Sequence, residues 1–307
     1  MPTSATGLPD RDSADREYVV AGGHRWALRR WPGPETPRAQ APTIVALHGF
    51  TGTGDDFAPL VRGPSAIPGR WLSVDILGHG HSDAPPYSSK AYAMPAVAAA
   101  LADVLAVAVQ GSPYVLVGYS MGARLALSLV LGEFATQCRW PRPAGLVLIG
   151  GTPGIADPLG RAQRQVEDVE LAESLLSRGL DWFIDTWANR PILASKKRIA
   201  APLRSAMAAR FRLQRVQGLA GSLRGMGTGA MPSLWGALEH LHLPTLWVTG
   251  ADDPKFTEIA REVVATVPGA ERVILGEVGH SAHLEAVAGF SAAFQRWQRC
   301  VFDSSAG

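Results

Sequence analysis

Residues 115–131, VLVGYSMGARLALSLVL, constrain this chain more than any other stretch. An apolar run rich in Val and Leu stops at Gly118, and an Ala/Leu-rich run with helical spacing begins directly after Ser120. Between them stands Gly118-Tyr119-Ser120-Met121-Gly122, a G-x-S-x-G pentapeptide. Strand, one-residue sharp turn carrying the serine, then helix: that order is a nucleophile elbow, which presents a hydroxyl at the end of a sheet. The glycines follow from crowding. The serine takes a strained backbone conformation, and a side chain at either flanking glycine would strike nearby backbone.

Short apolar runs alternate with helical patterns on both sides of the elbow. Residues 17–31 read as a hairpin turning at Ala21-Gly22-Gly23, followed by a Pro-rich loop. TIVALHG (43–49) reads as a buried strand that ends in His-Gly and leads into a glycine-rich loop. A short helix is expected near Asp55–Val61, a strand over 71–77, and a helix opened by Pro95 and ending near Gln110. Further strands are expected at 146–151, 245–250 and 272–277, with a helix over 256–267 and a closing amphipathic helix over 282–300. This alternation predicts an α/β fold: a mostly parallel sheet with helices on both faces. From 152 to 235 no β-period run occurs, and the segment is helical in pattern and rich in Arg, Trp and Gln. It is too long for a connection and reads as an inserted helical lid. The expected organisation is a disordered tail (1–16), a core (17–151 and 236–303) and a lid (152–235).

Composition narrows the function. With 47% hydrophobic residues in 307, the chain supplies a sizeable core, and a formal charge of +2 argues for neither nucleic acid nor a membrane surface. The most apolar helical run, AVAAALADVLAVAV, is interrupted by Asp103 and reads as a core-facing helix. The polar N-terminus lacks the apolar segment of a secretory signal, and Cys138 and Cys300 fit no metal or redox spacing. A cytoplasmic protein with reduced thiols is expected; the oligomeric state stays open, and a monomer is compatible.

In such a sheet, function sits at the carboxyl ends of the strands. A serine hydroxyl needs a histidine to take its proton and a carboxylate to orient that histidine, in the chain order Ser…Asp…His. The loop after TLWVTG offers Asp252-Asp253, and the loop after RVILGE offers His280. The triad is therefore read as Ser120, Asp253 and His280. Asp253 is preferred because the acid usually lies three residues beyond the strand's last glycine in chains with this elbow; either aspartate is also suited to capping the next helix. The backbone N–H groups of Met121 and Phe50 are the expected oxyanion donors. His48 reads as a hydrogen-bonder under the loop rather than a base. The pairs His79/His81 and His240/His242 read as structural, so no metal is expected. Arg124 shares the serine's helix face, either as a buried ion-pair partner or, the preferred reading, as an anion anchor. Lys255 adds charge at the same rim. Arg161, Arg164, Arg210, Arg212 and Arg224 in the lid, with Trp182 and Trp187, form either a solvated face or a cationic pocket. The latter implies a substrate with several carboxylates.

HGFTGTGDDF, DILGHGHSDAP, GYSMGAR, GADDPKF and VGHSAHLE together resemble the α/β-hydrolase superfamily. More narrowly, residues 43–290 resemble the 2-succinyl-6-hydroxy-2,4-cyclohexadiene-1-carboxylate synthases of menaquinone biosynthesis. The resemblance rests on Tyr-Ser-x-Gly-x-Arg at 119–124, GGTPGI at 150–155, GLAGSLRGMGTGAMPSLW at 218–235 and DPKF at 253–256. It implies a cofactor-free lyase that expels pyruvate from 2-succinyl-5-enolpyruvyl-6-hydroxy-3-cyclohexene-1-carboxylate, a small anionic polycarboxylate, with Ser120 as general base. It also implies substrate contacts from Tyr119, Arg124, Arg164 and Trp187, and from Arg212. Arg210 is the alternative to Arg212, because the spacing to Gly218 is short. The rival readings are an α/β-hydrolase of carboxylic esters or of C–C bonds, and a non-catalytic ligand receptor.

Overall fold

The computed structural model describes residues 16–31, 42–133 and 140–302. The Pro-rich loop after Trp31, Cys138 and all of the expected tail except Arg16 lie outside the described residues. In chain order the elements are β1 (Arg16–Ala21), β2 (His24–Trp31), β3 (Thr43–Leu47), α1 (Ala58–Val61), β4 (Arg70–Val74), α2 (Met94–Val109), β5 (Tyr114–Tyr119), α3 (Met121–Leu131) and β6 (Gly145–Ile149). Then come α4 (Pro158–Ala188), α5 (Ala201–Arg212), α6 (Val216–Met226), β7 (Thr245–Gly250), α7 (Pro254–Thr266), β8 (Ala270–Leu275), α8 (Ala282–Glu285) and α9 (Val287–Phe302). Arg16 is thus already sheet rather than tail.

The eight strands form one sheet in the order β1-β2-β4-β3-β5-β6-β7-β8. β1–β2 and β2–β4 pair antiparallel, and every other pair is parallel. The central strands are buried along their length because both faces are covered, which is why they read as continuous apolar runs. On β5, Val115 and Val117 face a cluster with Phe290, Phe294 and Trp297 of α9, while Leu116 faces the cluster built by α2 and α3. That is the period of two expected of a strand. Each fully buried Leu, Ile or Val contributes about 1.5–3 kcal/mol, so the two covered faces dominate stability.

The structure shortens one expected strand and divides the expected closing helix. β4 stops at Val74 rather than residue 77, because the Asp75 carboxylate accepts from Gly54 N (2.7 Å) and His81 N (2.8 Å), and Ile76 N donates to His48 Nε2 (2.9 Å). The closing helix breaks at Ala286 (φ −132°, ψ 63°) into α8 and α9. The helix α4 is interrupted at Gly179 (φ 83°, ψ 177°).

Between β6 and β7 the chain inserts α4, α5 and α6, without a strand among its described residues. This segment has its own small core of Ala172, Leu175, Phe183, Leu219 and Leu223. Helix α6 is glycine-rich because it lies hard against the body: a Cβ on Gly221 would meet the Tyr92 ring, and one on Gly218 the Gly78 carbonyl.

Candidate active site

Ser120 closes β5 at φ 51°, ψ −105°, and Met121 opens α3. A Cβ on Gly122 would strike the Leu47 and His48 carbonyls, and one on Gly118 the backbone of Ala123, so the elbow packs this tightly against β3 only with glycine there. The loop after β8 brings His280 over the serine: Nε2 lies 2.9 Å from Ser120 Oγ. His280 Nδ1 donates to Asp253 Oδ2 at 2.7 Å, which leaves Nε2 as the acceptor for the serine proton. Asp253 occupies the N-cap position of α7 but makes no capping hydrogen bond, while Asp252 points away to Arg198 at 2.5 Å.

The His280 loop is held from both sides. Glu285 accepts from Gly279 N (2.8 Å) and Ser281 N (3.1 Å), and Ser281 Oγ lies 2.7 Å from the Tyr119 hydroxyl. The N–H groups of Phe50 and Met121 have no protein acceptor among the described residues, as expected of Met121 at a helix start. His48 is committed elsewhere: Nδ1 donates to Gly49 O (2.8 Å) and Nε2 accepts from Ile76 N. Burial holds its pKa below the ordinary value, so it stays neutral and supports the loop.

A cavity of about 220 Å³ opens over Ser120 and His280. Arg124 walls it, buried, donating to the Met226 carbonyl and lying 3.8 Å from Met231 Sδ. No carboxylate lies within ion-pair distance of it among the described residues. Desolvation, and then the nearby Arg164, lower its pKa to about 10, so it remains a cation at neutral pH. Arg164 pairs one turn on with the buried Asp168 (2.9 Å). Lys255 stands at the rim, over the Phe256 ring. Trp187 meets Phe50 edge-on at 5.0 Å and stacks on Phe183, docking the inserted segment onto the Phe50 loop. Tyr119, Arg124, Arg164, Trp187 and Lys255 therefore all line the serine's cavity. Arg212 does not: it is exposed and lines a second cavity of about 250 Å³, which shares Phe50, Tyr119, Trp187, Leu193 and Lys196 with the first. Arg210 lines neither and is paired with Asp56 at 2.5 Å.

Residues 44–293 match the model of the Alpha/beta hydrolase family. The 2-succinyl-6-hydroxy-2,4-cyclohexadiene-1-carboxylate synthase of Salmonella schwarzengrund (strain CVM19633) is 31% identical over 249 residues, covering 81% of this chain and 90% of its own. A Bacillus subtilis (strain 168) protein that carries the same name provisionally is 35% identical over 270 residues, covering 87% of this chain and 92% of its own. The chain belongs to the alpha/beta hydrolase family, in its 2-succinyl-6-hydroxy-2,4-cyclohexadiene-1-carboxylate synthase branch. The structure of MenH from S. aureus shares the fold, with a TM-score of 0.80 at 23% identity over 89% of this chain and 98% of that one. A thermophilic esterase from Thermogutta terrifontis does so too, at 0.74 and 20% over 93% and 98%. The alpha/beta hydrolase fold thus carries more than one chemistry, and the site has to decide between them.

This family member also has site residues that pattern reading passes over. Lys196 sits in a Lys-Lys-Arg run with no motif to mark it, yet lines both cavities. Arg190 lines the first cavity and lies over the Trp187 ring at 4.8 Å. Asp168 had a signal, its i,i+4 spacing from Arg164. Glu285 stood in the quoted VGHSAHLE string, but its role as a hub appears only in three dimensions.

Proposed function

We propose that this chain is a lyase of menaquinone biosynthesis that eliminates pyruvate from 2-succinyl-5-enolpyruvyl-6-hydroxy-3-cyclohexene-1-carboxylate, with Ser120 as general base. One observation carries the reading. The Ser120–His280–Asp253 relay opens onto a cavity walled by a buried arginine, Arg124, that forms no ion pair with a carboxylate among the described residues. A buried cation held only by a carbonyl and a thioether, without a carboxylate beside it, calls for an anionic ligand. The substrate named by the family carries carboxylates on the ring, on the succinyl arm and on the enolpyruvyl ether.

Ser120 Oγ takes the proton from the ring carbon bearing the succinyl group, passing its own proton to His280 Nε2. The electron pair of the broken C–H bond moves into the adjacent carbonyl, and the Phe50 and Met121 N–H groups hold the resulting oxyanion. When the carbonyl re-forms, the ring double bonds shift and the C–O bond to the enolpyruvyl group breaks. The electron pair leaves as pyruvate enolate, and the proton held on the relay balances the step. Asp253 keeps the imidazole in the tautomer this requires. The helical insert acts as a lid that excludes water from the anion.

Incubation with the enolpyruvyl cyclohexene substrate and coupled detection of pyruvate tests the proposal. Stoichiometric pyruvate and diene product are expected. Absence of both, with rapid turnover of p-nitrophenyl esters, would overturn it in favour of ester hydrolysis.

A further inference from the structure

Lys196 is the cation that the proposed chemistry leaves unused. It lies in the 3-10 turn Pro191–Arg198 of the insert and lines the passage common to the two cavities. Its side chain has no ion pair and no hydrogen bond among the described residues. Desolvation holds its pKa below the ordinary lysine value, although Asp56 and Glu285 pull the other way. Both of those carboxylates are committed elsewhere. Asp56 takes Arg210 at 2.5 Å and the Thr53 N–H, and Glu285 takes Ser195, Gly279 and Ser281. Neither forms an ion pair with the ammonium.

Beyond Lys196 the second cavity is walled mainly by apolar side chains, among them Ile184, Ile199, Met207 and Phe211, with Arg204, Arg212 and the Arg210-paired Asp56 as its charged members. Apolar walls with an unpaired cation at the mouth fit a short aliphatic arm that ends in a carboxylate. We propose that Lys196 forms an anion subsite at the junction of the cavities, binding the terminal carboxylate of an aliphatic arm while the reacting carbon stays at Ser120. The proposal rests on the lyase reading above and deepens it, since there the arm is the succinyl group. Lys196 is then a substrate-positioning residue. It decides which end of a polycarboxylate faces the serine, because Arg124 alone does not distinguish one carboxylate from another.

The test compares the full-length wild type with Lys196→Met and Lys196→Arg. Pyruvate release gives kcat and KM, and calorimetric titration with succinate, as the probe, gives binding. Both variants are expected to fold, because Met keeps the stem and removes a partly desolvated charge. Lys196→Met should raise KM about tenfold with kcat within about threefold, and Lys196→Arg should recover most of the loss. Succinate affinity should fall about tenfold in Lys196→Met. Unchanged KM together with unchanged succinate affinity overturns the subsite, as does a loss of kcat at constant KM. If the wild type releases no pyruvate, the lyase reading fails, and the succinate titration alone judges the subsite: equal affinity in wild type and Lys196→Met overturns it.

Discussion

The Ser195 hydroxyl, on the helical insert, donates to Glu285 Oε1 at 2.8 Å, and Glu285 in turn holds both residues that flank His280. One carboxylate therefore ties the insert to the loop that carries the relay histidine. Glu285→Ala leaves three donors without their acceptor, at a cost of about 2–3 kcal/mol. Urea unfolding should show that loss. Pyruvate kinetics should show kcat falling about tenfold with KM nearly constant, because the loop aims the base and does not bind substrate. Ser195→Ala breaks only the link to the insert and should be milder in both measurements.

Asp253 and Asp252 are adjacent in sequence and opposite in consequence. Asp253→Asn removes the acceptor for His280 Nδ1–H and should lower kcat by roughly 10³–10⁴ with the circular dichroism spectrum unchanged. Asp252→Asn touches only a half-exposed pair with Arg198, whose side chains are 45% and 40% exposed, and should leave kcat within about twofold. Equal losses from the two substitutions would refute the assignment.

Arg124 should trade stability against activity. Its guanidinium is desolvated and has no carboxylate partner among the described residues, so Arg124→Met is expected to leave Tm unchanged or raised. The same substitution removes the proposed anion anchor and should lower kcat/KM about 100-fold. Lost stability with intact kinetics would show that the arginine serves the fold and not the substrate.

Three histidines set the acid limit of the fold. Burial lowers His79 and His283 to about 3 and pushes His48 down as well. The unfolded chain's histidines titrate near 6.5, so between these limits the unfolded state binds more protons than the folded one. Stability is therefore fully present above about pH 7 and lost as pH falls, by up to about 1.4 kcal/mol per pH unit for each histidine. Urea midpoints between pH 7.5 and 5 should show the slope. His283→Phe, among Phe57, Tyr119 and Phe290, should reduce it by about one proton; an unchanged slope would contradict the assignment.

Much of this site was legible because it is written in short spacings. Gly118, Ser120 and Gly122 between a strand and a helix allow one local geometry, and the order Ser120, Asp253, His280 at strand ends brings the relay together wherever the sheet is parallel. Arg124 was legible from one helical turn. Other features depend on partners far away in the chain. The end of β4 is decided by Gly54, His81 and His48. Arg212 faces the second cavity because of how α5 lies on the Phe50 loop, which no local periodicity encodes.

By itself, then, the sequence determined the α/β layering, the elbow and the chain order of the relay, because each follows from hydrophobic period and backbone sterics within a few residues. Only the tertiary structure decided which charges line the cavities. Lys196 and Lys197 are neighbours in one basic run, yet Lys196 lines both cavities and Lys197 is exposed. Burial and unpaired charge belong to the packing of the insert on the sheet, not to any residue's own neighbourhood, and that packing turns a surface-like lysine into a candidate anchor.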